Sequence, residues 1–106
     1  DEREHFMTLC LCGHSRIKGV AVVSVGTLSA SLVHPREVFR PAIVAGAAAV
    51  VLAHNHPSGD CTPSAEDKEA TRRMVKAGEL LGVPVLDHVI LGAGKTFFSF
   101  KDRGLL

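Results

Sequence analysis

The run from Ala47 to Ala53 is continuously apolar and rich in valine, and it ends in His54-Asn55-His56-Pro57. Hydrophobicity that is continuous over a strand-length segment, rather than alternating, suits a buried strand covered on both faces. His54 and His56 then sit at or just beyond its C-terminal end. In an extended chain, residues i and i+2 project to the same side, so both imidazoles can reach one point.

Pro57, Ser58 and Gly59 break the extended run, and Thr62-Pro63 reads as a helix start, with threonine as N-cap and proline in the first helical position. On that helix Ser64 and Asp67 are three apart and share a face. A helix packed back on the strand brings that face to the histidines. Two neutral imidazoles and a carboxylate are ligand types that zinc accepts, and three protein ligands leave the fourth tetrahedral position for water. The chain offers no competing four-ligand set: Cys10 and Cys12 are spaced C-x-C and stand alone.

The pattern His54-x-His56-Pro57, six residues, Ser64, two residues, Asp67 resembles the JAMM (MPN-plus) metalloprotease signature. The fuller string HNHPSGDCTPSAED is similar to the C-terminal domain of the RadC family, and the likeness runs from EHFM through VHPREVF to LDHVI. The resemblance implies a single α/β domain over residues 1–106, a mixed sheet flanked by helices in the JAMM/MPN (cytidine-deaminase-like) architecture. It implies His54, His56 and Asp67 as ligands of one Zn2+ ion with water as the fourth ligand. It implies Ser64 as the hydroxyl that bonds the bound water or the developing oxyanion. It also implies a glutamate just before an early strand as general acid/base, and Glu4 is the matching residue. The string departs from the family pattern at Cys61, where proline is expected; a thiol there is either a spare ligand or a plain loop residue.

The reaction so implied is hydrolysis of an amide, in a peptide or isopeptide substrate. Water has a pKa of ~15.7 and glutamate ~4.3, so unaided proton transfer is uphill by about 11 units, or ~15 kcal/mol. Zinc lowers the bound water to about 7, leaving a gap of roughly 3 units, or ~4 kcal/mol, which a positioned carboxylate can narrow.

Each residue also has a plainer role available. Ser64 can be a helix cap, Glu4 a solvated terminal residue, and Asp87-His88 either a pair orienting a ligand imidazole or a strand histidine with a structural task. His34 before Pro35 reads as the residue that opens a helix, and His14 sits in a turn. Lys68, Arg72 and Lys76 form a basic stripe, but Glu66, Glu69 and Glu79 share the helix and the net charge is +1, which favours a solvated face over nucleic-acid contact.

Competing functions fare less well. A DNA-associated module, the historical label of the RadC family, finds few aromatics for stacking and no pronounced basic excess here. A non-catalytic binding domain is at odds with the intact His54, His56 and Asp67. A zinc deaminase needs H-x-E and P-C-x-x-C, neither of which occurs. Three contiguous letters are no sign of an HNH nuclease, whose residues are dispersed over a longer unit.

At 106 residues and 46% hydrophobic, the chain supports one domain with a sufficient core. Three cysteines give no disulfide framework, no apolar run approaches the ~18 residues of a membrane span, and no signal peptide opens the chain, so a cytoplasmic protein without membrane contact is expected. A start at Asp1 suggests a fragment without the family's N-terminal helix-hairpin-helix region. Strands are expected at Phe6–Cys12 and Val20–Val25 around a turn at Gly13–Gly19, with a short extended piece at Leu28–Val33. A helix from Arg36 to Ala45 should be kinked or split by Pro41. A second helix, Pro63–Leu81, carries Ala70, Met74, Ala77 and Leu81 toward the core and stops at Gly82 and Pro84. Strands at Val85–Leu91 and Thr96–Phe100 close the layout.

Overall fold

A computed structural model of the chain describes residues 3–26 and 33–106. Its elements are β1 (Glu4–Leu11), β2 (Ile17–Gly26), α1 (Pro35–Ala45), β3 (Ala49–Asn55), α2 (Ala65–Leu81), β4 (Val85–Leu91) and β5 (Phe97–Ser99). The strands form one mixed sheet in the order β2-β1-β3-β4-β5. Only β3 and β4 run parallel, joined through α2; the other neighbours are antiparallel. This is the α/β architecture that the resemblance implies, and it places the apolar run centrally.

Both helices pack on one face of the sheet. Phe6 and Cys10 of β1 and Val50 and Leu52 of β3 share a single core with Val38, Phe39 and Ala42 of α1 and Ala70 and Met74 of α2. Phe39, Phe100, Leu52, Met74 and Ile90 are fully buried, and each such side chain contributes roughly 1.5–3 kcal/mol relative to exposure. On the other face, Val20 and Val22 of the edge strand are each 57% exposed. The apolar run is buried on both faces but not by helices on both: among the described residues both helices lie on one side, while on the far side of β3 Ala49 and Ala53 are buried and Val51 is half-buried.

Local chemistry explains where element ends depart from expectation. The first turn is shorter than Gly13–Gly19, because Ser15 takes a left-handed conformation (φ 59°) and Cys12 N–H reaches Arg16 O at 2.9 Å. That lets Ile17 and Gly19 pair with Leu11 and Cys10. Helix α1 runs unbroken through Pro41, held on both sides of it by the buried Val38, Phe39 and Ala42. His34 opens α1, its backbone N–H donating to Glu37 Oε1 at 3.3 Å. The extended piece expected over Leu28–Val33 falls, apart from the buried Val33, outside the described residues.

The start of α2 is also corrected. Thr62 is not the N-cap, since its N–H and hydroxyl both donate to Asp60 Oδ1, at 3.0 and 2.7 Å. Ser64 caps the helix instead: its Oγ accepts from Asp67 N at 3.0 Å while its own N–H donates to Asp67 Oδ2 at 2.8 Å, a reciprocal capping box. At the far end Gly82 adopts φ 72°, and Val83 N–H returns to Gly78 O at 2.9 Å, as in a Schellman closure. Ala70 and Met74 face the core, but Leu81 is 50% exposed. It lines an apolar cleft between the helices with Phe39, Ile43, Val44 and Leu80, so the core face of α2 ends a turn earlier than the spacing predicts. Among the described residues no helix is long and apolar enough to cross a membrane.

Polar side chains are buried here as well, among them Thr8, His54, Asp67, Thr71 and His88. His88 is fully buried and stacked on Phe100 at 4.8 Å. Burial, with the neighbouring His54 adding to it, pushes its pKa down to about 3. A group whose folded pKa is depressed below its unfolded value of ~6.5 binds fewer protons in the native state, so its contribution is intact above pH 6.5 and is lost as pH falls. Urea unfolding of metal-free protein should show stability dropping by up to about 1.4 kcal/mol per pH unit between pH 6 and 4.5. The same window should be flatter for His88→Gln, and equal slopes in the two proteins would remove His88 as the cause.

Candidate metal centre

β3 and α2 converge at the C-terminal end of the parallel β3–β4 pair, the usual place for a site in a sheet of this kind. His54 is the penultimate residue of β3, and His56 follows the strand, so the i, i+2 relation holds. The two Nε2 atoms lie 3.1 Å apart. From the first turn of α2, the Asp67 carboxylate straddles them, with Oδ1 3.3 Å from His54 Nε2 and Oδ2 3.1 Å from His56 Nε2. Glu4, in β1, reaches within 3.9 Å of His54 Nε2 through Oε1. Donor atoms of Glu4, His54 and His56 all lie within 4.8 Å of one another. The structure thus brings together Glu4, His54, His56 and Asp67.

The surroundings hold each group in place. His54 is fully buried and stacked on Phe6, with centroids 5.6 Å apart. Its Nδ1 faces His88 Nε2 at 2.7 Å. His56 Nδ1 lies 2.9 Å from Asp60 O; a carbonyl only accepts, so this nitrogen carries the hydrogen. Burial raises the cost of ionising Asp67, but the facing His54 imidazole and the Ser64 N–H outweigh it and keep the carboxyl well below the usual carboxylate range. Two ring nitrogens aimed at an ionised carboxylate at these distances require positive charge between them, supplied by a shared proton or by a metal ion.

Ser64 lies at the rim as the cap of α2. Its Oγ takes the Asp67 N–H and leaves the hydroxyl hydrogen uncommitted by that bond. Cys61 packs under the β4–β5 turn, where a Cβ built on Gly92 would meet Cys61 Cβ at 3.2 Å and Gly59 O at 2.5 Å, which suits the loop-residue role. Gly59, at φ 90°, accepts from Ala93 N at 2.9 Å and ties the loop to that turn. The basic stripe on α2 is exposed, with Arg72 paired to Glu69 at 2.7 Å.

Two residues emerge that spacing alone did not single out. Asn55 points away from its histidine neighbours and clamps the start of β1: its Oδ1 accepts His5 N–H at 2.6 Å and its Nδ2 donates to Arg3 O at 3.0 Å. These bonds bracket Glu4 beyond the last β1–β3 pair, Phe6 with His54. Thr71, fully buried on α2, lies between Asp67 O at 2.7 Å and His88 Nδ1 at 2.6 Å. An asparagine between two candidate ligands was the available signal for the first; nothing in the spacing marks the second. The Asp87-His88 pair separates: His88 faces His54, whereas Asp87 accepts from Ser99 Oγ and Lys101 N, at 2.6 and 3.0 Å.

Comparison with known proteins places this geometry in a family. Proteins named UPF0758 from Rubrobacter xylanophilus and Trichlorobacter lovleyi are each 56% identical to the chain, over 99% and 100% of its length. One from Methanosarcina barkeri is 50% identical over 99%. The chain spans about half the length of these relatives, covering 45%, 46% and 45% of them in the same order. Residues 1–105 match the RadC-like JAB domain, and with the strand, helix and histidine placement described above, the chain belongs to the RadC family.

Proposed function

We propose that this domain is a zinc-dependent hydrolase that cleaves an amide bond, as a metallopeptidase or isopeptidase, in the cytoplasm. The observation that carries the proposal is the convergence of His54, His56 and Asp67. In a tetrahedral zinc site with bonds of about 2.0–2.1 Å, neighbouring ligand atoms stand about 3.3–3.4 Å apart. The donor spacings of 3.1, 3.3 and 3.1 Å match that edge. The donor set of two imidazoles and a carboxylate fits the ion, with one position left open for chemistry.

A zinc ion held there supplies a Lewis acid that makes water a nucleophile near neutral pH and polarises a carbonyl. The remaining work belongs to the chain. Glu4, with its side chain 21% exposed, takes the proton of the attacking water and returns it to the departing amine. Ser64 donates its hydroxyl hydrogen to the oxyanion that develops at the substrate carbonyl. Asn55 fixes the backbone on both sides of Glu4, so that the carboxylate stands at the cluster rather than in solvent. The three free thiols, Cys10, Cys12 and Cys61, suit a reducing compartment.

Purified protein should bind about one equivalent of zinc by elemental analysis, falling to background in His54→Ala and Asp67→Ala. Hydrolysis of a fluorogenic peptide library should vanish on chelation and return with zinc. A wild-type protein that binds no zinc at micromolar concentration would end the proposal. Glu4→Gln should keep full zinc and lose roughly 10²–10⁴-fold in turnover; undiminished turnover removes Glu4 from the chemistry. Asn55→Ala should leave zinc stoichiometry unchanged while the His5 amide loses its hydrogen-exchange protection and turnover falls. Continued protection of that amide would show that the clamp is dispensable.

A further inference from the structure

The bonds behind His54 form a closed circuit whose hydrogens can be assigned. Thr71 Oγ1 lies 2.7 Å from Asp67 O. A carbonyl oxygen has no hydrogen to give, so the single hydroxyl hydrogen of Thr71 points at Asp67 O. Thr71 Oγ1 is also 2.6 Å from His88 Nδ1. With its hydrogen spent, the hydroxyl accepts here, and His88 carries its hydrogen on Nδ1. His88 Nε2 is then a bare acceptor, and at 2.7 Å it takes a hydrogen from His54 Nδ1. His54 Nε2, the nitrogen facing Asp67 and His56, is left as the metal-facing donor.

We infer that His88 and Thr71 are positioning residues that fix the proton of His54 on Nδ1 and so present Nε2 to the metal, by a relay that begins on one ligand's ring and ends on the main chain of another, Asp67. The inference rests on the metal-site reading above for its consequence, though not for its geometry. The circuit is sealed from water: Thr71 and His88 are 1% and 0% exposed. It spans three elements, β3, β4 and α2, and so ties the strand that carries the histidines to the helix that carries the carboxylate. Partners behind ligand histidines are usually carboxylates, carbonyls or water. A neutral imidazole in that position sets the tautomer without adding a second negative charge.

Thr71→Val removes the acceptor that holds the hydrogen on His88 Nδ1, while Thr71→Ser keeps it. His88→Leu removes the acceptor for His54, while His88→Gln keeps an amide oxygen within reach. Zinc affinity, measured by chelator competition, should fall about ten- to a hundredfold in Thr71→Val and His88→Leu and stay within a few-fold of wild type in Thr71→Ser and His88→Gln. In metal-free protein, long-range proton–nitrogen NMR should show the hydrogen of His54 on Nδ1 in wild type and in Thr71→Ser, and spread over both ring nitrogens in Thr71→Val. Wild-type affinity in both disrupting variants, or a His54 ring in wild type with a bare Nδ1, overturns the inference. Should His88→Leu fail to fold, the Thr71 pair carries the test alone. A wild-type protein that binds no zinc sinks the hydrolase reading, and the nitrogen spectra still decide the relay.

Discussion

The outward commitment of the imidazole hydrogens governs the rest of this structure. His56 gives its Nδ1 hydrogen to Asp60 O, and the Nδ1 of His54 is engaged by His88. The two Nε2 atoms therefore face each other and an ionised Asp67 at contact distance. Such a cluster calls for positive charge inside it, as a shared proton or a metal ion. The fold accepts that constraint because the strong capping box at the start of α2 and the central position of β3 leave the three side chains little freedom to separate.

The parallel β3–α2–β4 unit accounts for this rigidity. β3 places His54 next to Phe6 of β1 and beside Ile90 of β4, so the ring is gripped from both neighbouring strands. The helix that follows must start within reach of the strand end, and Ser64 with Asp67 makes that start serve twice. The same carboxylate that satisfies the helix terminus faces the histidines. A residue with both duties cannot be altered for one without disturbing the other, which ties folding of the first turn of α2 to the composition of the site.

Much of this was legible in the chain because the relevant signals are local. The apolar run, the i, i+2 histidines and the Ser-x-x-Asp spacing each report on geometry within a few residues, and strand and helix order follow from them. Misplaced boundaries arose where two local signals competed. Thr62-Pro63 has the residue types of a cap and first turn, yet Asp60 captures Thr62 and the reciprocal Ser64–Asp67 pair wins. Gly19 looks like a turn residue, but pairing with Cys10 keeps it in the strand. The tasks of Asn55, Thr71 and His88 depend on contacts between residues 52, 17 and 34 positions apart. No periodicity reports such pairings, so they come into view only when the sheet is assembled.

Two of the bonds that steady the facing groups of the cluster end on main-chain oxygens, those of Asp60 and Asp67. A carbonyl is present whatever the side chain, so evolutionary drift in the loop between the histidines and α2 need not unseat His56 as long as the path of the chain is kept. Cys61 shows the separation: its side chain packs under the β4–β5 turn while the carbonyl one residue earlier receives the ring. Side-chain identity in that loop is thereby uncoupled from the placement of the groups on either side of it, so its outer surface can vary without moving the ring.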